Sequence, residues 1–145
     1  MSVTSLVRVF VDTLWTPVLL GLVATLFVAL VDTGVAVGER VWGLAKLRSR
    51  GDAAYAEALA RVRIGRADLL ARIGPMLGLM GTLIPLGPGL AALGDGNVAV
   101  LAQAVTVAFD TTVLGLLVGV LAFIVSRLRR RWYEALLDTL EAGDA

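Results

Sequence analysis

A chain of 145 residues that is 58% apolar and 17% charged is too greasy for an ordinary soluble domain, and its net charge of +1 leaves no footprint for nucleic acid. Cysteine is absent, which excludes a disulfide framework and a thiolate metal site; histidine is absent too, which removes the commonest catalytic base and metal ligand. The composition points away from an enzyme and from any bound cofactor, and toward a polytopic membrane protein with little outside the bilayer.

The N-terminal stretch to Asp12 carries one basic residue, Arg8, and no small-residue cleavage site follows it, so the first apolar run reads as a retained membrane helix. That run, from Thr13 to Val31, is bracketed by Asp12 and Asp32. As a helix it spans roughly 28 Å, close to the hydrocarbon thickness, and the span is taken to about residue 37. Trp15 and Trp42 suit interfacial anchoring, and both aspartates are expected in boundary water.

Residues 38–73 form the only sizeable polar region. It reads as helical and cytoplasmic, with a break at Ser49-Arg50-Gly51-Asp52 where Asp52 can cap the next helix. Beyond the break, Tyr55, Leu59, Val62, Arg66, Leu69 and Ile73 make a heptad-like stripe, suited either to packing within the chain or to subunit contact.

The second apolar segment, residues 74–93, is rich in helix-disturbing residues: Pro75, Pro85 and Pro88 among Gly74, Gly78, Gly81, Gly87 and Gly89. Pro75 suits the first turn of a helix. Pro85 and Pro88 cannot donate to the carbonyls of Gly81 and Ile84, so a kink is expected there. Gly78 and Gly81 open one side for close packing, with Thr82 beside them.

Gly94-Asp95-Gly96-Asn97 is a tight turn that makes the second segment and the third, residues 98–125, an antiparallel helical pair. Asp110 is the only charged residue in that third segment. A carboxylate there costs several kcal/mol in lipid unless it faces protein, water or an ion. Thr111 and Thr112 follow it, then Gly115. An acid, hydroxyls and small residues on one segment suggest an ion path rather than an anchor. Asp110 and Thr112 differ by about 200° around a helix. Ala108, Thr112, Gly115 and Gly119 therefore form one small-residue face, while Gln103, Thr106 and Asp110 form another. The threonines can also simply bond back to their own helix carbonyls.

Arg127, Arg129, Arg130 and Arg131 end the segment, and residues 126–145 read as a short amphipathic helix with Leu128, Trp132, Leu136 and Leu140 at four-residue steps. Lysine and arginine number eight in residues 38–73, four in the tail, one near the N-terminus and none in the turn. That bias puts the N-terminus outside and the central region and C-terminus in the cytoplasm. The expected fold is all-α and polytopic: a single membrane domain with three transmembrane helices at about 13–37, 74–93 and 98–125, a short cytoplasmic helical region and the amphipathic tail.

Gly74-Pro75-Met76-Leu77-Gly78-Leu79-Met80-Gly81-Thr82, a short turn, then Ala108 through Leu116 resembles the paired signature of the MotA/TolQ/ExbB proton channel family. The resemblance covers about residues 71–131. It implies an inner-membrane, stator-type subunit, five copies of which surround two single-helix partners related to MotB, TolR and ExbD. The partner's aspartate carries the ion, H⁺ or Na⁺, past threonines of the five-fold subunit, and the flow drives mechanical work. By position those threonines are Thr82 and Thr112, with Thr111 a further candidate. Pro85 and Pro88 are not part of the family pattern, and the acid of the TolQ/ExbB branch falls at the position of Val107 rather than Asp110. On this resemblance the small-residue face with Thr112 is expected to meet the partner helices while Thr82 approaches from the second segment, which leaves Asp110 between subunits, as a second proton relay or as a structural hydrogen-bonding acid. The other reading is a non-conducting membrane scaffold whose helices pack small against small.

Overall fold

The structure, a computed structural model, describes residues 3–43, 47 and 52–143. Helix α1 (Val3–Gly38) continues into a π-helical turn at Glu39–Gly43; α2 covers Ala53–Gly94 and α3 covers Val98–Gly143. No strand occurs among the described residues, and all three helices are long and apolar enough to cross a membrane. The protein is an all-α polytopic membrane protein.

Local chemistry fixes the helix ends. Asp52 caps α2: its carboxylate accepts from the Tyr55 amide at 2.9 Å and its carbonyl from the Ala56 amide at 3.1 Å. At the other end, Gly96 takes a left-handed φ of 79°. That lets its amide donate to the Leu93 carbonyl at 2.9 Å, and the Asn97 amide to the Ala92 carbonyl at 2.9 Å. These are the paired bonds of a Schellman ending, for which glycine is the least costly residue. Asn97 then caps α3, accepting from the Val100 amide at 3.3 Å.

Two boundaries differ from the sequence expectation. Pro75 does not open a helix but lies inside α2, which runs on through Pro85 and Pro88. Each proline removes one hydrogen bond, whereas ending the helix would expose a whole turn of backbone groups. The amphipathic tail is likewise not a separate helix, because α3 runs unbroken to Gly143. Of the expected break at Ser49–Asp52, only Asp52 lies among the described residues.

The chain divides into two compact units, each drawing on all three helices. Met1–Leu26 with Ile73–Gly119 forms one, and Phe27–Arg72 with Val120–Ala145 the other. In the first, α2 and α3 meet through glycine. A methyl group on Gly74 would strike Val118, one on Gly78 would lie 3.0 Å from the Gly115 Cα, one on Gly81 would strike Thr111, and one on Gly89 would strike Ala104. The numbers rise along α2 as they fall along α3, which is antiparallel packing at backbone distance. Gly21 of α1 rests on Leu77.

In the second unit, small residues again line the contacts: Ala36 of α1, Ala56, Ala60 and Ala67 of α2, and Ala122 and Val125 of α3 are all buried. Leu47, Tyr133 and Leu136 complete one apolar cluster with Ala56 and Ala60. The heptad-like stripe is not this buried face. Tyr55, Val62, Arg66 and Leu69 are exposed, because Ala56, Ala60 and Ala67 on another face of α2 let the helices approach and take the interior.

Candidate functional site

The close approach of α2 and α3 positions the residues that the sequence singles out. Gly115 makes the tightest approach to backbone: a Cβ there would lie 2.6 Å from the Gly78 Cα and 2.8 Å from the Gly74 carbonyl oxygen. Real Cβ contacts are never that short, so only glycine fits. Ala108, Gly115 and Gly119 are buried within the chain. On the small-residue face, Gly115 is covered by α2, whereas Thr112 stays half-exposed.

Each candidate hydroxyl bonds to its own helix. Thr82 donates to the Leu79 carbonyl at 2.6 Å and Thr112 to the Ala108 carbonyl at 3.0 Å. Thr111 reaches both Val107 at 3.1 Å and Ala108 at 2.9 Å. A threonine so bonded keeps its hydroxyl oxygen as an acceptor while its proton is held. Thr111 is buried against Gly81, which makes it a packing residue. Thr82 and Thr112 are half-buried at the margin of the helix pair. Asp110 is exposed on the opposite edge of the buried α3 face from Thr112, and it pairs with no other described residue. Pro85 and Pro88 line a groove of about 400 Å³ with Asp12, Trp15 and Gln103. The structure thus joins Gly78, Gly81, Gly115 and Thr111 in one contact and leaves Asp110 outside it.

A second constellation lies in the other unit, and sequence reasoning missed it. Arg129 is fully buried. Its Nε donates to Glu39 Oε2 at 3.1 Å, and Nη2 donates to Glu39 Oε1 at 3.2 Å and to the Asp32 carbonyl at 3.3 Å. Nη1 donates to Asp32 Oδ2 at 2.7 Å and to the Arg63 carbonyl at 3.3 Å. All five guanidinium N–H groups are thereby used. Arg63 pairs with Glu39 at 2.8 Å and donates to the Tyr133 hydroxyl at 3.1 Å. Two arginines meet two carboxylates, so the cluster is neutral, and among the described residues no buried side-chain nitrogen or oxygen lacks a partner. Burial pushes the Tyr133 hydroxyl above its ordinary pKa, partly offset by the Arg63 guanidinium.

Asp32 is accordingly not in boundary water. The guanidinium of Arg129 repays the desolvation of its carboxylate, which free water would otherwise have to do. A signal was present in the sequence: Asp32, Ala36 and Glu39 share one face of α1 at four- and three-residue steps. The basic run 127–131 hid Arg129, because its neighbours suit an interfacial flank.

A family model described as the MotA/TolQ/ExbB proton channel family matches residues 45–142, which takes in all of α2 and nearly all of α3. No curated protein and no solved structure matches the chain.

Proposed function

The chain belongs to the MotA/TolQ/ExbB proton channel family, and from that premise we propose that it is the ion-conducting subunit of a motor complex, converting ion motive force, H⁺ in preference to Na⁺, into mechanical work. In this reading five copies enclose two single-helix partners of the MotB, TolR and ExbD kind in a cytoplasmic (inner) membrane. The N-terminus lies outside and the C-terminus in the cytoplasm. The transmembrane spans are about 13–37, 74–93 and 98–125.

The observation that carries the reading is the glycine contact between α2 and α3, which falls inside the matched region. It locks Thr82 and Thr112 to one rigid pair of helices, where both remain half-exposed. Their hydroxyl oxygens can accept a hydrogen bond from a hydronium ion or ligate a cation while still bonded to the helix. Asp110, on the other edge of the same face, is available to a neighbouring subunit as a relay or as a hydrogen-bonding acid.

The exposed surface is consistent with assembly. Phe109, Val113 and Leu116 of α3 are 67%, 64% and 53% exposed, and Tyr55, Val62 and Leu69 of the α2 stripe are uncovered in the single chain. A non-conducting scaffold is the second reading, favoured by one observation: all three threonine protons are already held by carbonyls of their own helix. Native mass spectrometry of the detergent-solubilised complex, co-expressed with a single-helix neighbour that carries a membrane aspartate, separates the two. A five-to-two assembly supports the motor subunit, and an assembly that binds no partner supports the scaffold.

A further inference from the structure

A groove of about 390 Å³ opens between α2 and α3 in the second unit, lined by Asp68, Arg72, Phe123, Ser126, Arg127 and Arg130. Its one carboxylate is already engaged: Ser126 donates to Asp68 Oδ1, and Arg130 lies 3.5 Å from Oδ2. Two guanidinium groups remain over. Arg72 makes no hydrogen bond or ion pair with another described residue, and Arg127 has only the ring of Phe123, 5.3 Å away. The groove therefore holds an excess of about two positive charges with no anion of the chain's own to meet them.

Its place in the sequence identifies the anion. Arg72 stands two residues before Gly74, where the second apolar segment begins, and Arg127 two residues after Val125, where the third ends. Both apolar segments thus meet polar sequence at this groove. Beside the cations Phe123 is 54% exposed, so the same surface is cationic on one side and apolar on the other. A soluble anion uses only the first of those features; a lipid uses both. Basic pockets between membrane helices suit anionic headgroups for this reason.

We propose that this groove binds the phosphodiester of an anionic phospholipid, with Arg72 and Arg127 taking the phosphate oxygens and the acyl chains running past Phe123. Arg130 is shared with Asp68, which fixes its guanidinium at the rim. The site does not depend on whether the chain conducts ions.

Native mass spectrometry of the full-length protein in detergent, titrated with phosphatidylglycerol and separately with phosphatidylcholine, tests this. The wild type should retain phosphatidylglycerol in preference, and rising ammonium acetate should erode that retention by screening. In the Arg72→Gln/Arg127→Gln variant retention should fall by roughly fivefold for each guanidinium removed. The Arg72→Lys/Arg127→Lys variant should keep most of it, as should Arg131→Gln, which changes an exposed arginine outside the groove. Equal retention of the two lipids by the wild type, a reading that needs no variant to fold, would overturn the proposal. So would an Arg131→Gln loss as large as that of the double variant, or displacement of the lipid by inorganic phosphate at matched concentration.

Discussion

Around Gly78 and Gly115, α2 and α3 touch through bare backbone with no charged group between them. Around Arg129 the same two helices, now with α1, meet through a saturated guanidinium, two carboxylates and a second arginine. The two regions fail in opposite ways. A backbone contact depends on shape and tolerates no added atom, so its sensitivity is to anything larger than glycine. An ion cluster depends on matched charge; it suffers when one member is removed and the others stay buried. The proposed ion path draws on the first region, where the shape-locked pair presents Thr82 and Thr112 at its margin. The second reads as the element that registers the three helices.

The largest effect is expected where the charge match is broken. Arg129→Met leaves Asp32 and Glu39 buried without their main partner and should cost about 3–5 kcal/mol, read as a lowered thermal midpoint in detergent by circular dichroism. Replacing Asp32, Glu39, Arg63 and Arg129 together by apolar residues of similar volume should recover most of that loss, since the penalty belongs to the unpaired charges. A quadruple variant as unstable as Arg129→Met would show that the cluster contributes by geometry instead.

Next in size is the glycine contact. Gly115→Ala places a methyl 2.6 Å from the Gly78 Cα, and backbone cannot give way as a flexible side chain can. It should cost about 1–3 kcal/mol by the same melt. Gly81→Ala meets the Thr111 side chain and should cost less, though still measurably.

Thr112→Val sharpens the comparison from the functional side. Its hydroxyl serves only the Ala108 carbonyl, so the change should alter stability by about 1 kcal/mol or less while reducing ion-driven output. The smallest effect is at Gly87, where a methyl meets nothing within 4 Å. Gly87→Ala should be neutral or stabilising by up to about 1 kcal/mol, from helix propensity alone.

Much of this architecture is readable from local chemistry. The Gly94–Asn97 turn, the Asp52 cap and the apolar segments each follow from a few adjacent residues, and each is present in the structure. Gly74, Gly78 and Gly81 announce a close approach, though not that Gly115, Thr111 and Val118 are what they approach. Pro75 misleads, since its fit to a helix start says nothing of the turns preceding it in α2. The heptad-like stripe misleads differently: hydrophobic spacing alone favours Tyr55 and Val62, yet Ala56, Ala60 and Ala67 take the interior because alanine lets helices come closer. Arg129 escapes altogether. Its partners lie 90 and 97 residues away, and nothing in a run of arginines distinguishes the one that turns inward.

We propose that the α2–α3 pair carries ions past Thr112. This is tested most directly by proton uptake into liposomes containing the complex with its single-helix partner, under an imposed potential. The account predicts uptake by the wild type and its loss in Thr112→Val complexes that assemble and melt like the wild type. Uptake that is unchanged in Thr112→Val, or absent from an intact wild-type complex, would contradict it.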